Sequence, residues 1–102
     1  MQPFIDAKRG EIAELCRTHH VRRLSVFGSA VRDDFDPEKS DIDVIVEFED
    51  LPGEEYLKNK YSLLDKLATR FERRIDLLTW KSVRNPYLLK AILRSNVTLY
   101  GA

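Results

Sequence analysis

The chain has 102 residues, of which 43% are hydrophobic and 33% charged, the composition expected of one globular domain with no room for a second. Seventeen basic and seventeen acidic side chains cancel, which argues against a general nucleic-acid binder, since such proteins are normally basic. The single Cys16 excludes an internal disulfide framework and fits a reducing compartment. Residues 1–6 lack the basic and apolar regions of a signal peptide, and no apolar run approaches the ~20 residues of a membrane helix. A cytoplasmic protein without membrane association is expected.

In chain order, Ile5, Ile12, Leu15 and Cys16 recur near helical spacing and predict an amphipathic helix over residues 4–18. Residues 22–28 alternate and end at Gly28, which predicts a strand. Gly28-Ser29 then opens a short segment, Ala30 to Arg32, of one or two helical turns, and residues 34–40 with Pro37 predict a loop. Residues 41–49, Asp-Ile-Asp-Val-Ile-Val-Glu-Phe-Glu, form the clearest strand, closed by a Pro52-Gly53 turn. Leu57, Tyr61, Leu64, Ala68 and Phe71 follow in steps of four and three, which predicts a helix. Residues 74–80 predict a third strand, and Asn85-Pro86 reads as a helix cap with proline at the first helical position. Leu88, Leu89, Ile92 and Leu93 mark the helix that follows, and residues 97–100 a last short strand. The predicted class is α+β, one small mixed sheet flanked by helices, in a single domain over residues 1–102.

The zero net charge hides segregation. Residues 1–32 sum to +3, residues 33–55 to −10 and residues 56–102 to +7. A solvated loop and a cation site beside an anion-attracting surface both fit such an acidic block. The Asp-Ile-Asp strand sharpens the choice. Side chains two apart share a strand face, so Asp41 and Asp43 point the same way, about 7 Å apart. Ile42, Val44, Val46 and Phe48 make the other face core, while the Asp face is expected to continue through Ile45 to Glu47 and Glu49 as an acidic face. Like charges side by side disfavour each other's ionised form, a conflict that Mg²⁺, held by one or two carboxylates plus water and phosphate, removes. Spacing alone leaves a plain solvated face equally open.

Gly28-Ser29 adds to this. It stands where a strand gives way to a turn, and backbone N–H groups at such a start suit an anion. A phosphate cradle beside a carboxylate pair is what a phosphoryl- or nucleotidyl-transfer enzyme needs. Asp76, between Ile75 and Leu77, is a carboxylate in an apolar strand that requires a partner. Either it pairs with Arg73 or Arg74, or it completes a three-carboxylate site as general base on the attacking hydroxyl.

Phe27-Gly28-Ser29, Arg32, Ser40-Asp41-Ile42-Asp43-Val44-Ile45-Val46 and Ile75-Asp76-Leu77-Leu78-Thr79 together resemble the minimal nucleotidyltransferase domain of the DNA polymerase β-type superfamily. The stretch from Arg84 to Ala102 is similar to the ending of these small proteins, so the resemblance covers nearly the whole chain. One departure is Asp33, where many relatives have Gly after the Arg. The resemblance implies a palm-like nucleotidyltransferase fold. It implies that Asp41, Asp43 and Asp76 hold two Mg²⁺ ions, with Asp76 helping to deprotonate the acceptor, and that Gly28 and Ser29 hold the nucleotide phosphates. Arg32 and Ser40 are candidates for phosphate or loop contacts. The implied reaction is attack on the α-phosphate of ATP with release of pyrophosphate. Small members act as antitoxins, adenylylating a tyrosine of a helical HEPN ribonuclease toxin within a hetero-oligomeric complex. The alternatives are an antitoxin that works by binding alone, and a small-molecule nucleotidyltransferase, whose relatives carry an extra substrate domain that this chain has no residues to build. A polymerase role would need duplex-holding segments that are missing.

The remaining signals are weaker. His19-His20 reads as a surface turn after the first helix, and Cys16 as core. Trp80 and the four tyrosines read as core or interface, with Tyr87, Tyr100 and Trp80 candidates for a partner surface.

Overall fold

The structure, a computed structural model, describes residues 1–32, 35–36 and 38–101. Asp33, the departure from the family pattern, lies outside the described residues, as do Asp34 and Pro37 of the expected loop.

The first expected helix is two. Helix α1 covers Pro3–Asp6 and α2 covers Arg9–Thr18, because Lys8 leaves helical geometry at φ −101° and ψ 10°. Strand β1 (Val21–Phe27) follows, then a single 3₁₀ turn at Gly28–Ala30, then β2 (Ile42–Phe48). Helix α3 (Gly53–Phe71) ends at Glu72 in the left-handed region, φ 52°. Strand β3 (Ile75–Thr79), a 3₁₀ turn at Trp80–Ser82, helix α4 (Pro86–Arg94) and β4 (Val97–Tyr100) complete the chain. The Asn85 cap is as expected: its side-chain oxygen accepts from the N–H groups of Tyr87 and Leu88 at 2.9 and 3.4 Å.

The sheet is mixed, in the order β3-β2-β1-β4. Strand β1 is antiparallel to β2 and β4, while β2 and β3 are parallel, joined by the α3 crossover. One face carries the main core: Leu24, Val26, Ile42, Val44 and Val46 packed with Ile12, Leu15 and Cys16 of α2 and with Leu63, Leu67 and Phe71 of α3. Burial pushes the Cys16 thiol up to about 12, so it is core and not a nucleophile.

The helix predicted from Leu57 to Phe71 is present, and two expectations about faces are corrected. The buried line of α3 runs through Leu63, Leu67 and Phe71, whereas Leu57 and Tyr61 are 49% and 63% exposed. Tyr56, one position around the helix from Leu57, is the residue that packs edge-on against Phe48 at 5.4 Å. His19 is buried, not in a surface turn. Its Nδ1 donates to the Leu15 carbonyl at 2.7 Å, which also accepts from the His19 N–H at 3.0 Å, and its Nε2 lies 2.9 Å from the Ser62 hydroxyl of α3. Finally, the second sheet face is not a continuous acidic surface. Ile45 is buried in a small second core with Phe27 and Ile92, bordered by Leu78, Trp80 and Val83, because α4 lies across that face. Among the described residues, no helix is long and apolar enough to cross a membrane.

Ile92 is the α4 residue buried in this second core, whereas its neighbour Leu93 is 61% exposed. Ile92→Ala is therefore expected to lower the unfolding free energy by about 2–5 kcal/mol, while Leu93→Ala should stay within about 0.5 kcal/mol of wild type. Urea unfolding of the two variants checks this. Equal losses would show that α4 does not close that face through Ile92.

Candidate active site

Asp43 is the second residue of β2, and the parallel register sets it directly opposite Asp76 on β3. Across the antiparallel ladder its partner is Phe27, the residue before Gly28. Neighbouring strands are about 4.8 Å apart, so the two carboxylates face each other closely enough for the charge of one to act on the other. The pKa of Asp43 is pushed up to about 6, first by burial, then by the charges of Asp76 and Asp41, with Arg32 pulling the other way. Asp43 is half-buried while Asp76 is exposed. The group set against Asp76 is thus a second carboxylate, that of Asp43.

Gly28 completes the contact. Its φ is +69°, and a Cβ built on it would collide with Oδ2 of Asp43. Only glycine lets the backbone turn there and pass this close to the carboxylate. The chain then makes one 3₁₀ turn, closed by N–H groups of Val31 and Arg32 donating to the Gly28 carbonyl at 3.0 and 3.3 Å. Ser29 sits half-buried within that turn.

Asp41 lies just before β2, close enough for its charge to raise Asp43. Ser40 makes the loop contact that was one of its two expected roles. Its hydroxyl accepts from the Asp36 N–H at 2.9 Å and its own N–H donates to the Asp36 carbonyl at 2.8 Å, so it fastens the loop leading into Asp41. Among the described residues no group of three or more His, Cys, Asp or Glu side chains stands ready as a metal cage. What stands ready is a pair, Asp43 and Asp76, with Asp41 beside it. Two like carboxylates held together fit a hard divalent cation, which would complete its shell with water and phosphate oxygens. A cleft of about 640 Å³ lies at the other end of β2, against Glu47, Phe48, Tyr56 and Trp80, and none of the site residues lines it. Of the three aromatic residues considered for a partner surface, only Tyr87, at 81% exposure, is open, whereas Trp80 borders the second core and Tyr100 the main one.

Comparison with known proteins agrees with this arrangement. Residues 9–98 match the nucleotidyltransferase domain family. A relative from Methanocaldococcus jannaschii, provisionally named a protein adenylyltransferase, is 36% identical over 90 residues, covering 80% of this chain and 88% of its own. Protein adenylyltransferase MntA of Thermococcus cleftensis is 34% identical over 84 residues, covering 82% of this chain and 80% of its own. Among solved structures, one provisionally described as a minimal nucleotidyltransferase superposes with a TM-score of 0.74 at 29% identity, over 91% of this chain and 90% of the other. A chain from the complex of a tri-AMPylated Shewanella oneidensis HEPN toxin with an MNT antitoxin shares the fold, with a TM-score of 0.64 at 22% identity over 95% of this chain and 72% of that one. With the Gly28 turn laid against a carboxylate pair on adjacent strands, and with the match running almost end to end, this chain belongs to the nucleotidyltransferase domain family.

Proposed function

We propose that this protein transfers AMP from ATP to a tyrosine of a HEPN toxin and silences it. The observation that carries the chemistry is the Asp43–Asp76 pair with the Gly28 backbone against it. The acceptor is inferred from the relatives, one named a protein adenylyltransferase, and from the AMP-modified HEPN toxin in the complex that shares this fold. On this reading Asp41, Asp43 and Asp76 hold Mg²⁺, which when bound neutralises charge on the triphosphate and on the attacking oxygen. Gly28 and Ser29 shape the turn that receives the phosphates, and Arg32 adds a positive charge beside them. Exposed Asp76 takes the proton of the acceptor hydroxyl as that oxygen bonds to the α-phosphorus. The bond from the α-phosphorus to its bridging oxygen breaks, and pyrophosphate leaves. The protein works in the cytoplasm.

Purified protein incubated with ATP, Mg²⁺ and its toxin is expected to add the mass of AMP to the toxin, and Asp41→Asn with Asp43→Asn to abolish that mass. Asp76→Asn should slow transfer by about 10²–10⁴-fold, the usual worth of a positioned base. An unchanged mass shift from the double variant would sink the assignment. Neutralisation by that variant without any modified toxin would show inhibition by binding.

The raised Asp43 pKa has a pH signature in the metal-free protein. Its folded value, about 6, exceeds the ordinary 3.8, so the folded state holds the proton more tightly than the unfolded chain. The stabilisation from this group is complete below the ordinary value and is lost as pH rises through 6. Thermal melts should therefore show the metal-free protein losing stability across this window, with Mg²⁺ restoring it above but not below. Asp43→Asn should flatten both effects. A wild-type melt that does not respond to Mg²⁺ on the alkaline side would contradict the cation assignment.

A further inference from the structure

Asp41 is the one candidate ligand outside the sheet, so something other than a ladder must place it. Its two chain neighbours are both tied to the Arg73-Arg74 dipeptide. The Arg73 guanidinium donates from Nη1 to the Ser40 carbonyl at 3.4 Å, and the Ile42 N–H donates to the Arg74 carbonyl at 3.1 Å. The same dipeptide leads directly into β3 and so into Asp76.

Arg73 is itself fixed from three sides. The left-handed Glu72 ends α3, with the Arg73 N–H closing back on the Ala68 carbonyl at 3.2 Å, and turns the chain inward. The guanidinium carbon then lies 4.9 Å from the ring centre of Phe4 on α1 and 5.0 Å from that of Phe35 in the loop before β2. The two rings pack on each other at 5.6 Å, and Phe4 meets Phe71 of α3 edge-on at 6.3 Å. A planar guanidinium can lie over aromatic rings while aiming an N–H at a carbonyl, which an ammonium does poorly. Arg32 lowers the pKa of Asp43 by its charge, while Arg73 bonds the backbone carbonyl of Ser40, next to Asp41.

We propose that Arg73 is a positioning residue for the divalent-cation site: held over Phe4 and Phe35, it anchors the Ser40 carbonyl and thereby sets Asp41 against Asp43 and Asp76. This rests on the cation site of the function proposed above. It predicts that a group which touches neither metal nor nucleotide controls metal affinity, as outer partners of metal ligands do, by about 10- to 100-fold.

The test is titration of the full chain with Mn²⁺ alone, followed by water-proton relaxation and scaled to the folded fraction from urea unfolding. Arg73→Lys, which keeps the charge and loses the planar fork, is expected to weaken Mn²⁺ binding by about 10- to 100-fold. Phe35→Leu should weaken it in the same direction by less, and decides the matter alone should Arg73→Lys fail to fold. Arg70→Met, a charge loss on the exposed end of α3 beside Glu11, should bind as wild type. Asp43→Asn separates the two ideas. If it binds Mn²⁺ as wild type, the cation site is wrong and this proposal falls with it. If Asp43→Asn loses binding while Arg73→Lys and Phe35→Leu keep it, the site stands and the positioning role is overturned.

Discussion

Two carboxylates facing each other across a pair of parallel strands is an arrangement folding would ordinarily avoid, and much of this small chain is organised around holding it. Register is what makes it possible. Ile42, Val44 and Val46 on β2 pair with Ile75, Leu77 and Thr79 on β3, and their apolar members belong to the main core. A slip of one residue would turn that apolar set outward and bury the acids. The hydrophobic pattern therefore fixes Asp43 against Asp76 as a by-product of covering the core. The antiparallel pairing with β1 then delivers Phe27 opposite Asp43 and the Gly28 turn beyond it.

The acidic block that cancels the basic remainder resolves into separate local tasks. Asp41 and Asp43 belong to the site. Glu47, two positions beyond the buried Ile45, pairs with Arg22 across the β1–β2 ladder at 2.9 Å. Glu54 and Glu55 lie in the first turn of α3, where negative charge suits the helix dipole. Ile45 is the divider. By lying under α4 with Phe27 and Ile92, it insulates the Asp43 end of β2 from its Glu47 end, so the two acidic groups answer to different partners.

Much of this was legible because it is local. Alternation marks β2, the Asn85-Pro86 pair caps α4, and the glycine-serine turn and the Asp-Ile-Asp strand, both read from local pattern, do lie against each other in the sheet. What the sequence hid depends on contacts between distant segments. Nothing in residues 41–49 says that α4 will return to cover Ile45, and nothing around His19 says that Ser62 will meet its ring. The α3 stripe marked the helix, but its spacing does not say that Leu57 and Tyr61 stay exposed while Leu63, Leu67 and Phe71 are buried. Arg73 was visible only as a candidate ion-pair partner for Asp76. Its contacts to Phe4, Phe35 and Ser40 come from three separated stretches, and no local pattern announces them.

The two facing carboxylates differ in a way that assigns them work. Asp43 has strand neighbours on both sides, the Gly28 backbone against its Oδ2, and a half-buried position. Asp76 stands on the edge strand and is exposed. Burial and neighbouring charge disfavour the ionised form of Asp43, so it profits most from a cation and from phosphate-side contacts. The exposed partner is the one an incoming hydroxyl reaches. Environments that set two like groups apart are how one site divides acid, base and ligand roles between chemically identical side chains. Here the difference follows from sheet order and the Gly28 turn: Asp43 stands on an interior strand and Asp76 on its edge neighbour, as the proposed split into ligand and base requires.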